Sequence, residues 1–269
     1  MARRQRLDAE LVRRGLARSR DQASALVVAG RVRVAGTTAG KPATQVDLAA
    51  AILVEDDATD EDYVSRGAHK LIGALDAFAI GVRGRRCLDA GASTGGFTDV
   101  LLRRGAGHVV AVDVGYGQIA WSLRQDERVT VLERTNVRAL EPEMVAPAPS
   151  LVVADLSFIS LTLVLPALVR CVIPEAEHVL MVKPQFEVGR EALGAGGVVR
   201  SSALRADAVR TVADAAQRCG LGVQGVVASP LPGPSGNVEY FLHLRAGAPA
   251  LDEGQLERAV AEGPQAGLS

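Results

Sequence analysis

The stretch RRCLDAGASTGGFTDVLLRRG, residues 85–105, constrains this chain more than any other. It reads as an apolar strand, a glycine-rich turn and an amphipathic helix. The same rhythm continues to residue 245. HVVAVDVG, VTVLE, SLVVADLSF and HVLMVKPQF predict further strands. GQIAWSLRQ, SLTLVLPALVRCV and SALRADAVRTVADAAQRCG predict helices between them, and LGVQGVVAS and NVEYFLHLR predict the closing strands. Strands alternating with helices fold as a mostly parallel, doubly wound sheet. The expected fold class is therefore α/β, with the last strand antiparallel if its acidic start is to face the ligand edge.

The turn itself has the spacing G-x-x-x-G-G, from Gly91, Gly95 and Gly96. That is not the G-x-G-x-x-G of dinucleotide folds, which disfavours a nicotinamide enzyme. No G-K-[ST] follows, which disfavours a P-loop kinase. Glycines there permit a tight turn and close approach of a ligand to the backbone. Asp113 ends the second strand, where an acid can take both hydroxyls of a ribose. Asp89, ending the first strand, repels a pyrophosphate but suits a cationic, amino-acid-bearing ligand. That pair favours S-adenosylmethionine over a generic nucleotide. Asn136, in ERTNVR after the third strand, is either near an adenine or a plain loop residue.

In open α/β sheets ligands lie beyond the carboxyl ends of the strands. Asp155 ends the fourth strand and Lys183 the fifth, where Pro184 holds the backbone extended. Glu239 begins the last strand. Lys70, in VSRGAHKL, opens the helix before the first strand. Each alone reads equally as a surface charge or a cap. Four charges at one ligand edge read together as a site.

The amino-terminal third has a different character. Residues 1–41 carry ten Arg or Lys against three Asp or Glu, a balance of +7, and the remaining residues carry 20 against 28, a balance of −8. A basic head on an acidic body suggests an arm for a polyanion, against a merely solvated face. LDAELVRRGL predicts a helix stopped by Gly15. Ser19 can cap a second helix ended by Gly30, and RVRV predicts a strand with arginines outward. Arg3, Arg4, Arg6, Arg14, Arg18, Arg20, Arg31, Arg33 and Lys41 are the expected phosphate contacts.

Composition bounds the rest. A chain of 269 residues, 48% hydrophobic and 23% charged, is globular, with one large domain or two smaller ones. No apolar run reaches the roughly eighteen residues of a membrane span. The basic start lacks the apolar core of a signal peptide. Cys87, Cys171 and Cys219 are widely spaced, and four histidines occur. The expectation is a reduced, cytoplasmic protein with no metal; the oligomeric state is left open, with a monomer favoured.

Residues 6–36, RLDAELVRRGLARSRDQASALVVAGRVRVAG, resemble the S-four (S4) RNA-binding domain. SRGAHKL, LDAGASTGGFTDVLL, DVGYGQ, ADLSFISL, VKPQFE and GPSGNVEYFL together resemble the TlyA (hemolysin A) family. That family joins an S4 domain to an FtsJ-like methyltransferase domain. The resemblance implies a Rossmann-like class I methyltransferase fold behind a small α+β RNA-binding domain. The implied boundaries are 1–60 for the RNA-binding domain, 61–66 for a linker, 67–246 for the methyltransferase domain and 247–269 for a carboxyl-terminal tail.

The resemblance also implies a Lys-Asp-Lys-Glu tetrad for ribose 2′-O-methylation, carried by Lys70, Asp155, Lys183 and Glu239. The methyl donor would be S-adenosylmethionine, held by Asp89, Gly91, Ser93, Gly95, Gly96, Asp113, Val114, Asn136 and Asp155. A lysine acts as base only when it loses its proton, against an ordinary value of about 10.4. Lys183 is expected as the base or hydroxyl positioner, with Asp155 orienting it, and Lys70 and Glu239 holding the ribose. The extended start resembles the longer form of the family, which implies cytidine 2′-O-methylation in both 16S and 23S ribosomal RNA. The alternatives are a ribosome-binding module without catalysis and a membrane-active hemolysin.

Overall fold

The protein is described from a computed structural model covering residues 4–17, 19–28, 30–48, 50–54, 63–189, 191, 193–233 and 235–264. It divides into two compact units, Met1–Asp62 and Tyr63–Ser269. Of the linker expected at 61–66, residues 61 and 62 lie outside the described residues, as do Arg3 and Arg18.

The first unit opens with a short strand β1 (Arg4–Arg6), then helices α1 (Leu7–Arg13) and α2 (Arg20–Val28). Strands β2 (Val32–Val34), β3 (Thr37–Thr38), β4 (Gln45–Asp47) and β5 (Ile52–Val54) follow. Gly15 and Gly30 take left-handed φ values of +71° and +73° at the helix ends, as stop signals require. Ser19 Oγ accepts from Gln22 N at 3.2 Å at the start of α2. Strand β1 was not expected. It pairs antiparallel with β4, Arg6 opposite Gln45, so part of the basic start is sheet backbone. Leu7, Leu11, Ala23, Val27 and Val32 close a small core.

The second unit begins with α3 (Gly67–Ala77) and β6 (Arg86–Ala90), followed by α4 (Gly96–Arg103) and β7 (His108–Val112). Next come α5 (Trp121–Arg124), β8 (Val129–Leu132), α6 (Pro142–Val145), β9 (Leu151–Ala154) and α7 (Leu165–Arg170). The chain continues through β10 (Glu177–Val182), α8 (Pro184–Glu187), α9 (Ser202–Arg218), β11 (Leu221–Ala228), β12 (Tyr240–Ala246) and α10 (Glu253–Glu262). The seven strands lie in the order β11-β12-β10-β9-β6-β7-β8. Pairing is parallel from β10 to β8, and β12 runs antiparallel to β10, Tyr240 opposite Val182.

Strands β7 and β9 are apolar throughout their buried length, and β10 is so but for His178, as befits strands covered on both faces. One face packs Val209, Val212 and Leu256 of α9 and α10 on Val152, Leu180 and Leu242. The other packs Leu71, Leu75, Val100 and Leu101 of α3 and α4 on Val109, Val153 and Phe241.

One element differs from expectation. Helix α5 keeps only Trp121–Arg124 of the predicted segment, because Gly117 is left-handed at φ +69° and Ala120 is extended at ψ 140°. In the tail, the stretch LDEGQLERAVAE, which suggests a short helix, forms α10 and buries Leu256 and Ala259 in the main core.

Candidate active site

Strand order reverses at β6: β7 and β8 lie to one side, β9 and β10 to the other. That switch point opens the crevice in which ligands of doubly wound sheets lie. Both strand ends arrive there. Asp155 N donates to Ala90 O at 3.1 Å, so the fourth strand's end sits beside the glycine turn. A Cβ on Gly91 would lie 2.6 Å from Asp155 O, so this approach needs glycine. Gly95, at φ +98°, caps α4, and a Cβ there would meet Leu123 Cδ1 at 2.3 Å. The first turn of α4 thus presents N–H groups without helical partners toward the crevice.

Asp113 is held rigidly beside them. Its Oδ2 accepts from Ser93 N at 2.8 Å and its Oδ1 from Gly115 N at 2.7 Å. Each oxygen keeps a second acceptor site, which suits a vicinal diol. Val114, next to it, is exposed. Asn136 caps the turn Val137–Ala139 through Arg138 N at 3.0 Å.

Asp89 departs from the expected ligand contact. It is fully buried, with Oδ2 accepting from Thr98 Oγ1 at 2.7 Å and Oδ1 without a partner. Burial pushes its carboxyl up to about 7, and the nearby Asp155 and Asp113 charges add to the rise while Thr98 opposes it. It pins the start of α4 from beneath rather than lining the crevice.

The four rim charges come together as two ion pairs. Lys70 Nζ lies 2.6 Å from Glu239 Oε2, with lysine and acid 9% and 0% exposed. Lys183 Nζ lies 2.6 Å from Asp155 Oδ1 and donates to Ser157 Oγ at 2.8 Å. The bond to Asp155 lacks hydrogen-bond alignment, so that oxygen stays unsatisfied. Antiparallel β12 brings Glu239 beside Lys183, one residue beyond the Val182–Tyr240 pair. Lys183 is extended, at φ −109° and ψ 100°, with Pro184 opening α8. Glu239 Oε1 is buried without a partner, and a Cβ on Gly233 would lie 2.6 Å from it.

Ser157 had no role in the sequence reading, although it lies within the quoted ADLSFISL. Nor did Glu187, which accepts from Leu161 N at 2.8 Å and Ser160 Oγ at 2.5 Å and so ties that loop to α8. Asp99 accepts from Val64 N at 3.0 Å, and Arg103 stacks over Tyr63 at 4.3 Å. This fixes the start of the second unit to α4. A Cβ on Gly96 would strike Ser65 Oγ at 2.1 Å. A cavity of about 580 Å³ lies elsewhere, between β11 and α10, and contains none of the rim residues.

In the first unit, Arg6 and Arg20 reach Asp8 Oδ2 at 2.7 and 3.0 Å. Hydrogen bonds from Arg6 hold the Asp8 carboxyl far below the usual range. Arg14 spends its guanidinium on Glu10, at 2.7 Å, and on the carbonyls of Leu48 and Ala50 at 2.7 and 2.8 Å. Arg33 and Lys41 are exposed and Arg31 is half-buried. Of Arg4 only the backbone is described. No cluster of metal-ligating side chains occurs among the described residues.

A glycine turn at the switch point, an acid for a ribose and a rim of paired lysines and carboxylates define a methyltransferase domain behind a small basic unit. The FtsJ-like methyltransferase family matches residues 63–246, and the S4 domain family residues 5–52. The chain belongs to the TlyA family. It is 62% identical, over 98% of its length and all of the relative's, to the 16S/23S rRNA (cytidine-2′-O)-methyltransferase TlyA of Mycobacterium tuberculosis. It is 37% identical, over 89% of its length and 99% of the relative's, to Hemolysin A of Brachyspira hyodysenteriae. The solved structure of a hemolysin candidate from Streptococcus thermophilus matches with a TM-score of 0.77 at 39% identity, covering 97% of this chain and 96% of that one.

Proposed function

We propose that this chain methylates the ribose 2′-hydroxyl of cytidines in 16S and 23S ribosomal RNA, with S-adenosylmethionine as donor. The observation that carries the reading is the Lys183–Asp155 ion pair, 2.6 Å across, at the strand end packed against the glycine turn. The turn from Gly91 through Ser93 to Gly96 fits the donor's amino-acid portion and Asp113 fits its ribose. When bound, the donor supplies an electrophilic methyl on a sulfonium.

The chain's own residues do the rest. The crevice places the target hydroxyl in line with the methyl, which removes the largest part of the barrier. Lys183 holds the hydroxyl and, once its own proton has passed to solvent, its neutral amine takes the hydroxyl proton as the oxygen–carbon bond forms and the carbon–sulfur bond breaks. Asp155 and Ser157 fix the direction of Lys183. Lys70 and the unpartnered Glu239 Oε1 hold the sugar. The basic face of the S4 domain binds RNA phosphates around the target.

No helix among the described residues is long and apolar enough to cross a membrane. A ribosomal RNA substrate fits a protein that works in the cytoplasm. Labelled donor, ribosomal subunits and purified protein give methyl incorporation into RNA. Lys183→Ala lowers the single-turnover rate by about 10²–10⁴-fold with donor affinity retained. Full activity in that variant rejects the assignment.

A further inference from the structure

A second charge-bearing place lies on the opposite face of the sheet from Lys70 and Glu239. Tyr240 packs into the core beneath α9, whereas Phe241 packs beneath α3 and α4. The buried side-chain atoms without a hydrogen-bond partner include Arg205 Nε, the Tyr240 hydroxyl and Gln185 Oε1. Arg205 is 9% exposed, so more than nine-tenths of it is inside the protein. It forms no ion pair with any described residue.

A buried guanidinium Nε–H without a partner is costly. Its position makes it costlier. Arg205 closes the first turn of α9, where its N–H makes an early helical bond to Ser201 O at 3.1 Å. Helix N-termini carry partial positive charge, and acids are favoured there. This first turn contains none. A helical side chain leans toward the N-terminus of its helix, where Ser201 Oγ accepts from Leu204 N at 3.4 Å and the N–H groups before it have no helical partner.

The surroundings are rigid. Asn237 Oδ1 accepts from Val199 N at 2.9 Å, and Asn237 Nδ2 donates to Gly197 O at 3.0 Å. That clamps the lead-in of α9 to the lead-in of β12. Helix α8 packs on α9, bringing the segment of Gln185 alongside. The Arg205 charge is felt at the Tyr240 hydroxyl, where it opposes the rise in pKa caused by burial. A guanidinium, a phenol and free helix N–H groups form a donor set, and a rotated Gln185 amide adds another.

We propose that the Arg205 pocket at the N-terminus of α9 binds a phosphate oxyanion of the substrate RNA strand, close to the nucleotide being methylated. Gln185 and Tyr240 flank Lys183 and Glu239 in the chain, so the pocket borders the rim from behind. A phosphate held there adds to the hold on the strand whose sugar lies over Lys183. The proposal rests on the RNA-methylating reading above and adds an anchor on the methyltransferase domain itself.

The test uses the full chain and ribosomal subunits over a series of salt concentrations. Arg205→Met removes the charge at similar volume, and Arg205→Gln is a second neutral variant should the first not fold. Each lowers RNA affinity by about tenfold and reduces the slope of log affinity against log salt by about one. Donor affinity and the methylation rate at saturating RNA stay as in the wild type. Arg205→Lys keeps the slope. An unchanged slope in folded neutral variants that still methylate RNA overturns the pocket but leaves the enzyme assignment intact. Arg205-dependent thermal stabilisation by inorganic phosphate, with the RNA slope unchanged, identifies a free-anion site and also overturns it. Loss of methylation in the wild type would instead strike the functional reading.

Discussion

The two units handle buried charge in opposite ways. In the S4 unit, Asp8 and Glu10 are 2% and 0% exposed, and their arginines lie within twelve positions in the chain. These networks are local, and several of their arginines remain open to water on one side. In the methyltransferase unit, Lys70 and Glu239 are 169 positions apart, and Lys70 is almost sealed. The first arrangement forms from helix spacing and survives on solvation. The second exists only when α3 and β12 are both in place. A local network preorganises a surface, whereas a long-range pair reports that a whole sheet has closed.

Cutting one acid from each network tests that contrast. Glu239→Ala strands the Lys70 ammonium in a dry setting and should cost about 3–5 kcal/mol, read as a shifted urea midpoint with unchanged slope. Glu10→Ala leaves Arg13, whose side chain is 54% exposed, free to hydrate. Its cost should stay near 1 kcal/mol, as for ordinary substitutions that strand no charge. Equal costs would erase the distinction.

That contrast also marks what the sequence made legible. Alternating strands and helices, the glycine turn and the rim residues announce themselves through period and residue type. So do the glycine stops at Gly15 and Gly30. Other features depend on approach angles that no local pattern records. Asp89 stands beside three glycines and reads as a ligand, yet α4 lays Thr98 over it and seals it. Arg14 looks like its neighbours, but the Leu48 and Ala50 carbonyls, more than thirty residues on, capture it. Ser157 is a small hydroxyl in an unremarked loop until Lys183 reaches it.

Asp89 gives a prediction whose sign is fixed. Its native carboxyl titrates near 7, above the unfolded value of about 3.9. The native state therefore holds the proton more tightly. Nothing is lost below about pH 4, and stability falls as pH rises from there through about 7, by at most roughly 4 kcal/mol. Asp89→Asn stays neutral and can still accept from Thr98. The variant should match the wild type at pH 4 and exceed it increasingly up to pH 8 in denaturant titrations. A pH-independent difference would contradict the burial argument. Weakened donor binding in the same variant would return Asp89 to the ligand set.

The smallest effect separates two arginines of the S4 unit. Arg20 keeps a side chain 59% exposed and, among the described residues, one ion pair, to Asp8 at 3.0 Å. Arg14 is committed to Glu10 and two carbonyls. If the local network preorganises a phosphate-binding face, Arg20→Ala should reduce the salt slope of RNA binding by about one. Arg14→Ala should lower the melting temperature and leave that slope alone, because its charge never faces the polyanion. The reverse pattern would mean that the buried arms open on binding. The sealed acids would then be latches of the S4 unit rather than its scaffold.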